Sequence, residues 1–199
     1  MYNKSQGNIA VFMDRDGTII DELGYLKDPN DLNIIPGAVD AIRLINRAQM
    51  KAVIVTNQSG VARGYLSEEI LGNIHQRLLE RLMKKDAYID AIYYCPHHPN
   101  EGDLRYRKTC NCRKPYPGML DMAAKDLKVD LERSYVIGDK IIDMRLAHRV
   151  GAKGVLVLTG YGKNEVKLID DALKSRPHCI AEDILKAVDW ILSDLGKRE

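Results

Sequence analysis

The segment that decides the fold is Ile9-Ala10-Val11-Phe12-Met13, followed directly by Asp14-Arg15-Asp16-Gly17-Thr18. A short, uninterrupted apolar run predicts a strand that is buried on both faces of a parallel sheet. The polar residues then mark the end of the strand, because Asp and Gly favour turns. The segment therefore predicts a buried strand that delivers two carboxylates to one edge of a sheet.

Further short apolar runs have the same form, and helical patterns lie between them. The predicted strands are Ile9–Met13, Ala52–Val55, Ile89–Tyr94, Tyr135–Ile137 and Gly154–Leu158. The predicted helices are Ala38–Gln49, Ser67–Lys85, Pro117–Leu127, Ile141–Val150 and Asp183–Leu195. Alternation of this kind predicts a parallel sheet with helices on both faces. We therefore expect an α/β fold, a Rossmann-like three-layer sandwich with a mainly parallel sheet and no large cap domain.

The composition is that of a globular chain with balanced charge. The chain has 199 residues, of which 45% are hydrophobic and 29% charged, and its formal net charge is +2. At roughly 100–200 residues per domain, residues 1–199 predict a single domain. The near-neutral charge argues against a strongly basic nucleic-acid-binding protein, and no apolar run approaches the ~20 residues of a membrane span. Met1–Asn8 has no signal-peptide pattern, so we expect a cytoplasmic protein with reduced thiols.

Polar side chains follow three of the predicted strands. They are Asp14 with Asp16, Thr56 with Asn57, and Asp139 with Lys140. In an open parallel sheet, ligands bind beyond the carboxyl ends of the strands, so we expect these side chains to converge at one edge. The two carboxylates at neighbouring strand ends repel each other unless a cation binds between them. Oxygen ligands of this kind suit Mg²⁺.

The remaining polar groups suit phosphoryl transfer. Thr56, Asn57 and Lys114 supply a hydroxyl, amide donors and a cation, which stabilise the oxygens of a phosphoryl group during transfer. A carboxylate such as Asp14 can attack phosphorus and form an aspartyl-phosphate. Asp16, two residues on, points to the same side of the strand and can act as a general acid and then as a base.

A cluster of thiols lies in a long loop. Three of the four cysteines fall within Cys95-Pro96-His97-His98 and Cys110-Asn111-Cys112. In a reducing compartment such a cluster predicts metal binding before a disulfide. A closed site of three thiolates and one imidazole suits structural Zn²⁺, although the spacing does not choose between the two histidines. We therefore expect a zinc-stapled loop insert over about residues 95–117, which would hold Arg113 and Lys114 over the strand ends.

Taken together, these motifs resemble those of the haloacid dehalogenase superfamily of phosphotransferases. Four segments carry the resemblance in the same order, namely Asp14–Thr18, Thr56, Lys114 and Gly138-Asp139 with Asp143. Three longer segments are similar to a subfamily of sugar bisphosphate phosphatases; they are Thr56–Gly64, Tyr93–Pro99 and Cys110–Met119. The resemblance covers about Ile9 to Gly160, and the tail beyond it carries little information.

The resemblance implies roles for the residues at the strand ends. Asp14 would be the nucleophile and a Mg²⁺ ligand, and Asp139 would complete the protein ligands. Asp16 would be the general acid and base and would give Mg²⁺ its backbone carbonyl. Thr56 and Lys114 would stabilise the transferring phosphoryl group.

The resemblance also implies substrate contacts and outer positions. Asp143 would orient the metal site from outside the ligand shell, and His97 rather than His98 would join Cys95, Cys110 and Cys112 on the zinc. The residues expected to contact substrate are Glu22, Leu23, Gly24, Tyr25, Thr56, Asn57, Gln58, Ser59, Arg113, Lys114 and Lys140.

Two alternative functions stay open at this level. Histidinol-phosphate phosphatases look similar, including the cysteine loop. The other alternative is a zinc-stapled binding module with an inactive phosphatase site, which the basic residues Arg105, Arg107 and Lys108 favour. We expect a sugar bisphosphate as the substrate, no nucleic-acid or membrane partner and a monomer, because the chain shows no heptad seam. His75, His148 and His178 are expected at the surface or its boundary without a chemical role, and Cys179 as an ordinary buried or surface thiol.

Overall fold

The structure is a computed structural model that describes residues 7–169 and 175–196. Met1–Gln6, part of the segment considered above for signal peptides, lie outside the described residues. The strands are β1 (Ala10–Met13), β2 (Lys51–Asn57), β3 (Ala91–Cys95), β4 (Tyr135–Gly138), β5 (Lys153–Val157) and β6 (Cys179–Ala181). The α-helices are α1 (Ala38–Arg47), α2 (Glu68–Met83), α3 (Gly118–Leu127), α4 (Ile141–Arg149), α5 (Gly162–Glu165) and α6 (Ile184–Gly196). Two 3₁₀ helices cover Pro29–Asp31 and Val166–Leu168.

The sheet is parallel throughout, with the order β3-β2-β1-β4-β5-β6. The α/β fold and the five predicted strands are confirmed. The sixth strand was not predicted, because three residues are too few to show a periodicity and Ile180 at its centre is 46% exposed. The strand forms at the sheet edge through its backbone pairing with β5.

The side chains of β1 show how the three layers form. Val11 and Met13 pack in a core with buried residues of α1, α2 and α6. Ala10 and Phe12 point to the opposite face and pack with residues of α3 and α4. Because successive side chains of a strand point to opposite faces, one apolar run supplies both cores. The predicted three-layer sandwich is therefore confirmed.

Helix α2 begins where the sequence predicts and buries one residue that the sequence analysis assigned to the surface. The Ser67 hydroxyl accepts the Ile70 backbone N–H at 3.1 Å, which caps the helix. His75 lies on the buried stripe of this helix between Leu71 and Leu78 and is only 8% exposed. Its spacing from these leucines, four residues after one and three before the other, places it on the apolar face. The expected surface position of His75 is therefore wrong.

The connections at the carboxyl ends of the strands are packed against the sheet. The segment from Ile19 to Ile35 contains a 3₁₀ helix and the buried side chains of Ile20, Leu26 and Leu32. Together with the loop after β3, it borders the edge of the sheet where β1 ends. Within residues 7–169 and 175–196 no segment folds as a separate cap domain. None of the helices in these ranges is long and apolar enough to cross a bilayer.

Candidate active site and cysteine cluster

A pocket of about 360 Å³ opens at the carboxyl ends of β1 and β2. Nearly all of the residues expected to contact substrate line it; they are Glu22, Gly24, Tyr25, Thr56, Asn57, Gln58, Ser59, Arg113, Lys114 and Lys140. Asp14 and Asp16 also line the pocket. Leu23 is the exception, because its side chain is 54% exposed and does not reach the pocket wall.

Three carboxylates and one ammonium group meet beside the pocket, whose lining includes Asp14 and Lys114. Asp14, Asp139 and Asp143 each offer an oxygen, and these atoms lie within 4.8 Å of one another. The Lys114 Nζ lies 3.0 Å from Asp14 Oδ1 and 2.6 Å from Asp143 Oδ1. Burial by itself lowers the pKa of Lys114, but the two carboxylates raise it above its usual value, so the side chain stays a cation.

Asp139 has one carboxylate oxygen that accepts no hydrogen bond among the described residues. Its Oδ2 accepts the Tyr161 backbone N–H at 2.8 Å, whereas its buried Oδ1 has no hydrogen-bond partner among the described residues. Lys140 Nζ lies 3.8 Å from that atom. Burial and the negative charge of Asp14 raise the pKa of Asp139 to about 7. An unpartnered carboxylate oxygen beside a second carboxylate fits a hard divalent cation such as Mg²⁺.

Asp143 differs from its two neighbours because both of its oxygens are occupied. Oδ1 accepts from Lys114 Nζ at 2.6 Å, and Oδ2 accepts the Lys140 backbone N–H at 3.3 Å. These bonds support the predicted position of Asp143 outside a metal's ligand shell.

The polar residues after β2 divide into two groups. The Gln58 amide donates to Asp16 Oδ2 at 2.7 Å and to Thr56 Oγ1 at 2.8 Å, so it links two predicted catalytic residues. The Asn57 side chain instead accepts the Lys114 backbone N–H at 3.0 Å and donates to the Lys114 carbonyl at 3.3 Å. Asn57 therefore fixes Lys114, a positioning contact that the sequence did not indicate.

Charged residues at the pocket mouth are tied to one another. Lys140 Nζ lies 3.0 Å from Glu22 Oε2 and 4.5 Å from the centre of the Tyr161 ring. Burial lowers the pKa of Lys140, but nearby carboxylates, with Asp139 foremost, raise it above its usual value. Arg113 donates from Nη1 to the His97 carbonyl at 3.0 Å, which joins the pocket to the cysteine loop.

The four predicted zinc ligands converge. The donor atoms are Cys95 Sγ, His97 Nδ1, Cys110 Sγ and Cys112 Sγ, and the measured separations between them are 3.1–3.7 Å. A tetrahedron with Zn–S bonds of about 2.3 Å has S–S edges of about 3.8 Å. The three sulfurs are 3.1, 3.2 and 3.5 Å apart, so they would move apart by only a few tenths of an ångström to hold a zinc ion. The side chain of His98 turns away and contacts Arg63 at 3.2 Å. The structure thus brings His97 into the cluster and not His98.

Backbone contacts join this cluster to the loop after β2. The Gln58 N–H donates to the Cys95 carbonyl at 2.7 Å, and the Ala62 N–H donates to the Pro96 carbonyl at 3.2 Å. Gly102, with φ of +95°, packs so closely that a Cβ there would overlap the Ala62 carbonyl oxygen. The cysteine loop therefore supports the pocket wall that carries Gln58.

Sequence reasoning missed the residues after β5 that hold Asp139 and β1. The Tyr161 N–H bonds Asp139, and the Thr159 hydroxyl donates to the Gly17 carbonyl at 2.6 Å. The sequence feature that could have indicated this segment is the pair of glycines at 160 and 162. In the structure, a Cβ at either position would collide with backbone or carboxylate atoms. The tail beyond Gly160, expected to carry little information, thus contributes to the site.

Comparisons with known proteins agree with this site. A family model described as HAD-hydrolase-like matches residues 111–187. D-glycero-beta-D-manno-heptose-1,7-bisphosphate 7-phosphatase of Photorhabdus laumondii is 40% identical over 88% of this chain and 97% of its own length. D-glycero-D-manno-heptose-1,7-bisphosphate 7-phosphatase of Thermosynechococcus vestitus is 40% identical over 95% of this chain and 98% of its own length.

A solved structure matches over nearly the whole chain. It is the D,D-heptose 1,7-bisphosphate phosphatase of B. bronchiseptica complexed with magnesium and phosphate, with 30% identity and a TM-score of 0.81. The match covers 94% of this chain and 99% of that one. The fold and the site thus define a phosphoric monoester hydrolase of the haloacid dehalogenase type. Within that class, the chain belongs to the family of the D-glycero-D-manno-heptose-1,7-bisphosphate 7-phosphatases.

Proposed function

We propose that the protein is a Mg²⁺-dependent phosphatase that removes the 7-phosphate of D-glycero-D-manno-heptose 1,7-bisphosphate. The observation that carries the activity is the meeting of Asp14, the buried Lys114 and the Asp139 oxygen that accepts no hydrogen bond among the described residues. The substrate follows from relatives of that name with 40% identity over nearly their full length. The same relatives favour this substrate over histidinol phosphate.

The reaction proceeds in two steps on Asp14. Its carboxylate attacks phosphorus in line, the bond from phosphorus to the sugar oxygen breaks, and Asp16 gives its proton to the departing oxygen. Asp16 then takes a proton from water, which attacks the aspartyl-phosphate and releases inorganic phosphate. Lys114 and Thr56 stabilise the charge on the phosphoryl oxygens. Asp14, Asp139 and the Asp16 carbonyl would hold Mg²⁺, which would neutralise part of that charge.

The charged pocket mouth suits a sugar with a second phosphate. Lys140 and Arg113 supply cations at the rim, and Glu22 supplies an acceptor for hydroxyl groups. With no cap domain over the site, a large polar substrate itself excludes water from the pocket. The product keeps its 1-phosphate, which is the group that nucleotidyl transfer consumes. The activity therefore fits nucleotide-activated heptose biosynthesis, which supplies heptose for the lipopolysaccharide core.

We also propose that the cysteine cluster binds structural Zn²⁺ through Cys95, His97, Cys110 and Cys112. The short separations of the donor atoms and the burial of Cys95 support a closed site with no position for substrate. Thiolate ligands require reducing conditions, in keeping with a cytoplasmic enzyme. The near-neutral net charge of the chain is in keeping with a protein that binds neither nucleic acid nor an anionic membrane. The sequence shows no heptad seam, so we propose a monomer.

Steady-state kinetics test this function directly. Phosphate release is measured with the α and β anomers of heptose 1,7-bisphosphate and with histidinol phosphate, each with Mg²⁺ and with EDTA. We expect kcat/KM for one or both heptose anomers to exceed that for histidinol phosphate, and EDTA to abolish turnover. Faster turnover of histidinol phosphate would contradict the substrate. A protein without any phosphatase activity in Mg²⁺ would instead support the binding-module alternative.

A further inference from the structure

Arg15 carries the largest of the fully buried side chains and is 1% exposed. A guanidinium group has only donors, and each donor buried without an acceptor costs free energy. Two of its nitrogens form a fork on the neighbouring carboxylate, with Nε 3.2 Å from Asp16 Oδ2 and Nη2 2.9 Å from Asp16 Oδ1. The remaining terminal nitrogen, Nη1, lies 3.0 Å from His75 Nε2.

The contact with Arg15 fixes the state of His75. Because Arg15 can only donate, His75 Nε2 is the acceptor, and the imidazole is neutral with its proton on Nδ1. Burial and the positive charge of Arg15 lower the pKa of His75 to about 3, which agrees with a neutral ring. His75 is itself held on the buried face of α2. The outer end of the guanidinium is therefore anchored to a helix that does not otherwise touch the reacting groups.

Asp16 is held from a second direction as well. The Gln58 amide donates to Asp16 Oδ2 at 2.7 Å, so both carboxylate oxygens have fixed donors while the side chain keeps 18% exposure to the pocket. If the acceptor at His75 is removed, Arg15 Nη1 is buried without a partner. The guanidinium then turns toward another acceptor and the fork on Asp16 opens. Displacements near 1 Å cost on the order of 100-fold in rate when they affect a reacting group.

We propose that Arg15 and His75 are positioning residues that hold Asp16 at the leaving oxygen of the substrate. This role rests on the proposed function, in which Asp16 acts as the general acid. The role predicts that substitution of either residue lowers kcat/KM by a factor that depends on the leaving group of the substrate. A sugar alkoxide needs the proton from Asp16, whereas p-nitrophenolate departs readily without it.

The test compares two substitutions of His75 on two substrates. His75→Leu keeps an apolar volume without an acceptor, and His75→Gln restores an acceptor oxygen near the position of Nε2. We expect His75→Leu to lower kcat/KM for heptose 1,7-bisphosphate about 10- to 100-fold, with less than about a threefold loss for p-nitrophenyl phosphate. His75→Gln should stay within about threefold of the wild type on both substrates. Arg15→Lys, which keeps the charge without the fork, should repeat the pattern of His75→Leu.

Thermal unfolding shows whether each variant is folded. If His75→Leu does not fold, Arg15→Lys takes its place in the test. Equal losses on both substrates would overturn the proposal, as would a His75→Gln variant as impaired as His75→Leu. Wild-type turnover of p-nitrophenyl phosphate and histidinol phosphate, but not of the heptose substrate, would refute only the proposed substrate. In that case the losses of kcat/KM in the variants are measured with histidinol phosphate, which is also an alkyl ester, and compared with those on p-nitrophenyl phosphate. Failure of the wild type on both alkyl esters would contradict both proposals.

Discussion

The two candidate metal sites of this protein lie side by side but are built in opposite ways. The carboxylate site consists of Asp14, Lys114, Asp139 and Asp143, which come from three separate parts of the chain. The thiol site consists of Cys95, His97, Cys110 and Cys112, which come from one stretch of the chain. The first adjoins a pocket and keeps one carboxylate oxygen that accepts no hydrogen bond from the residues that the structure describes, whereas the second is closed by its own four donors. An open site suits a reaction and a closed one suits architecture.

Because the carboxylate site carries the reaction, a substitution of Asp14 should have the largest effect on activity. We expect Asp14→Asn to lower kcat by at least about 10⁴-fold, because an amide does not accept the phosphoryl group. Zinc content should stay at the wild-type value, since the thiol site is not touched. Steady-state phosphate release and metal analysis measure both. An Asp14→Asn protein that retains turnover would remove the basis of the carboxylate site.

The thiol site should show a smaller effect on activity and a larger one on stability. We expect Cys110→Ser to lose zinc, to lower the thermal midpoint and to reduce kcat/KM about 10- to 100-fold, through displacement of Arg113 and Lys114. Cys179→Ser is the matched control, because Cys179 lies on β6, away from the cluster. The control should keep its zinc, its midpoint and its activity. If Cys110→Ser keeps full activity after zinc is lost, the loop does not support the pocket.

The difference between the two sites also explains what the sequence could predict. The thiol site was predicted from spacing, because its ligands are neighbours along the chain, although spacing did not separate His97 from His98. The carboxylate site was predicted because each acid follows a buried strand and parallel strands end at one edge. The contacts that support both sites were missed. Tyr161 acts through its backbone, Asn57 acts on the backbone of Lys114, and His75 acts on the side chain of Arg15. No local pattern reports contacts between residues so distant in sequence.

The contact between the two sites can be tested at Gly102. We expect Gly102→Ala to reduce kcat/KM about tenfold and stability by about 1–3 kcal/mol, because the new Cβ meets the Ala62 carbonyl in a left-handed conformation. Gly64→Ala is the control, since Gly64 also has a positive φ, of +72°, but open space around its Cα. It should lose stability through backbone strain alone and keep its activity. Equal activity of the two variants would argue against coupling through this contact.

The smallest effect concerns pH and involves neither metal. Since burial lowers the pKa of His75 to about 3, the unfolded chain gains the proton first when pH falls below about 6.5. The free energy of unfolding therefore falls as the pH drops from about 6.5, the pKa in the unfolded chain, toward about 3, the pKa in the native state, and it is lower by about 2 kcal/mol at pH 5. We expect His75→Gln to abolish this loss in denaturant unfolding at pH 7 and pH 5. His148→Gln, at an exposed histidine, is the control and should retain the loss. If His75→Gln loses as much unfolding free energy between pH 7 and pH 5 as the wild type does, the buried neutral ring is contradicted.

The proposed mechanism requires that Asp14 accepts the phosphoryl group. Asp16→Asn removes the base of the second step, so a phosphoenzyme should accumulate when this variant reacts with p-nitrophenyl phosphate in Mg²⁺. Rapid acid quench, digestion and peptide mass analysis locate the group. We predict the mass of one phosphoryl group on the peptide that contains Asp14, and its absence when EDTA is added. Release of p-nitrophenol with no phosphopeptide, or with the phosphoryl group on another residue, would contradict the account.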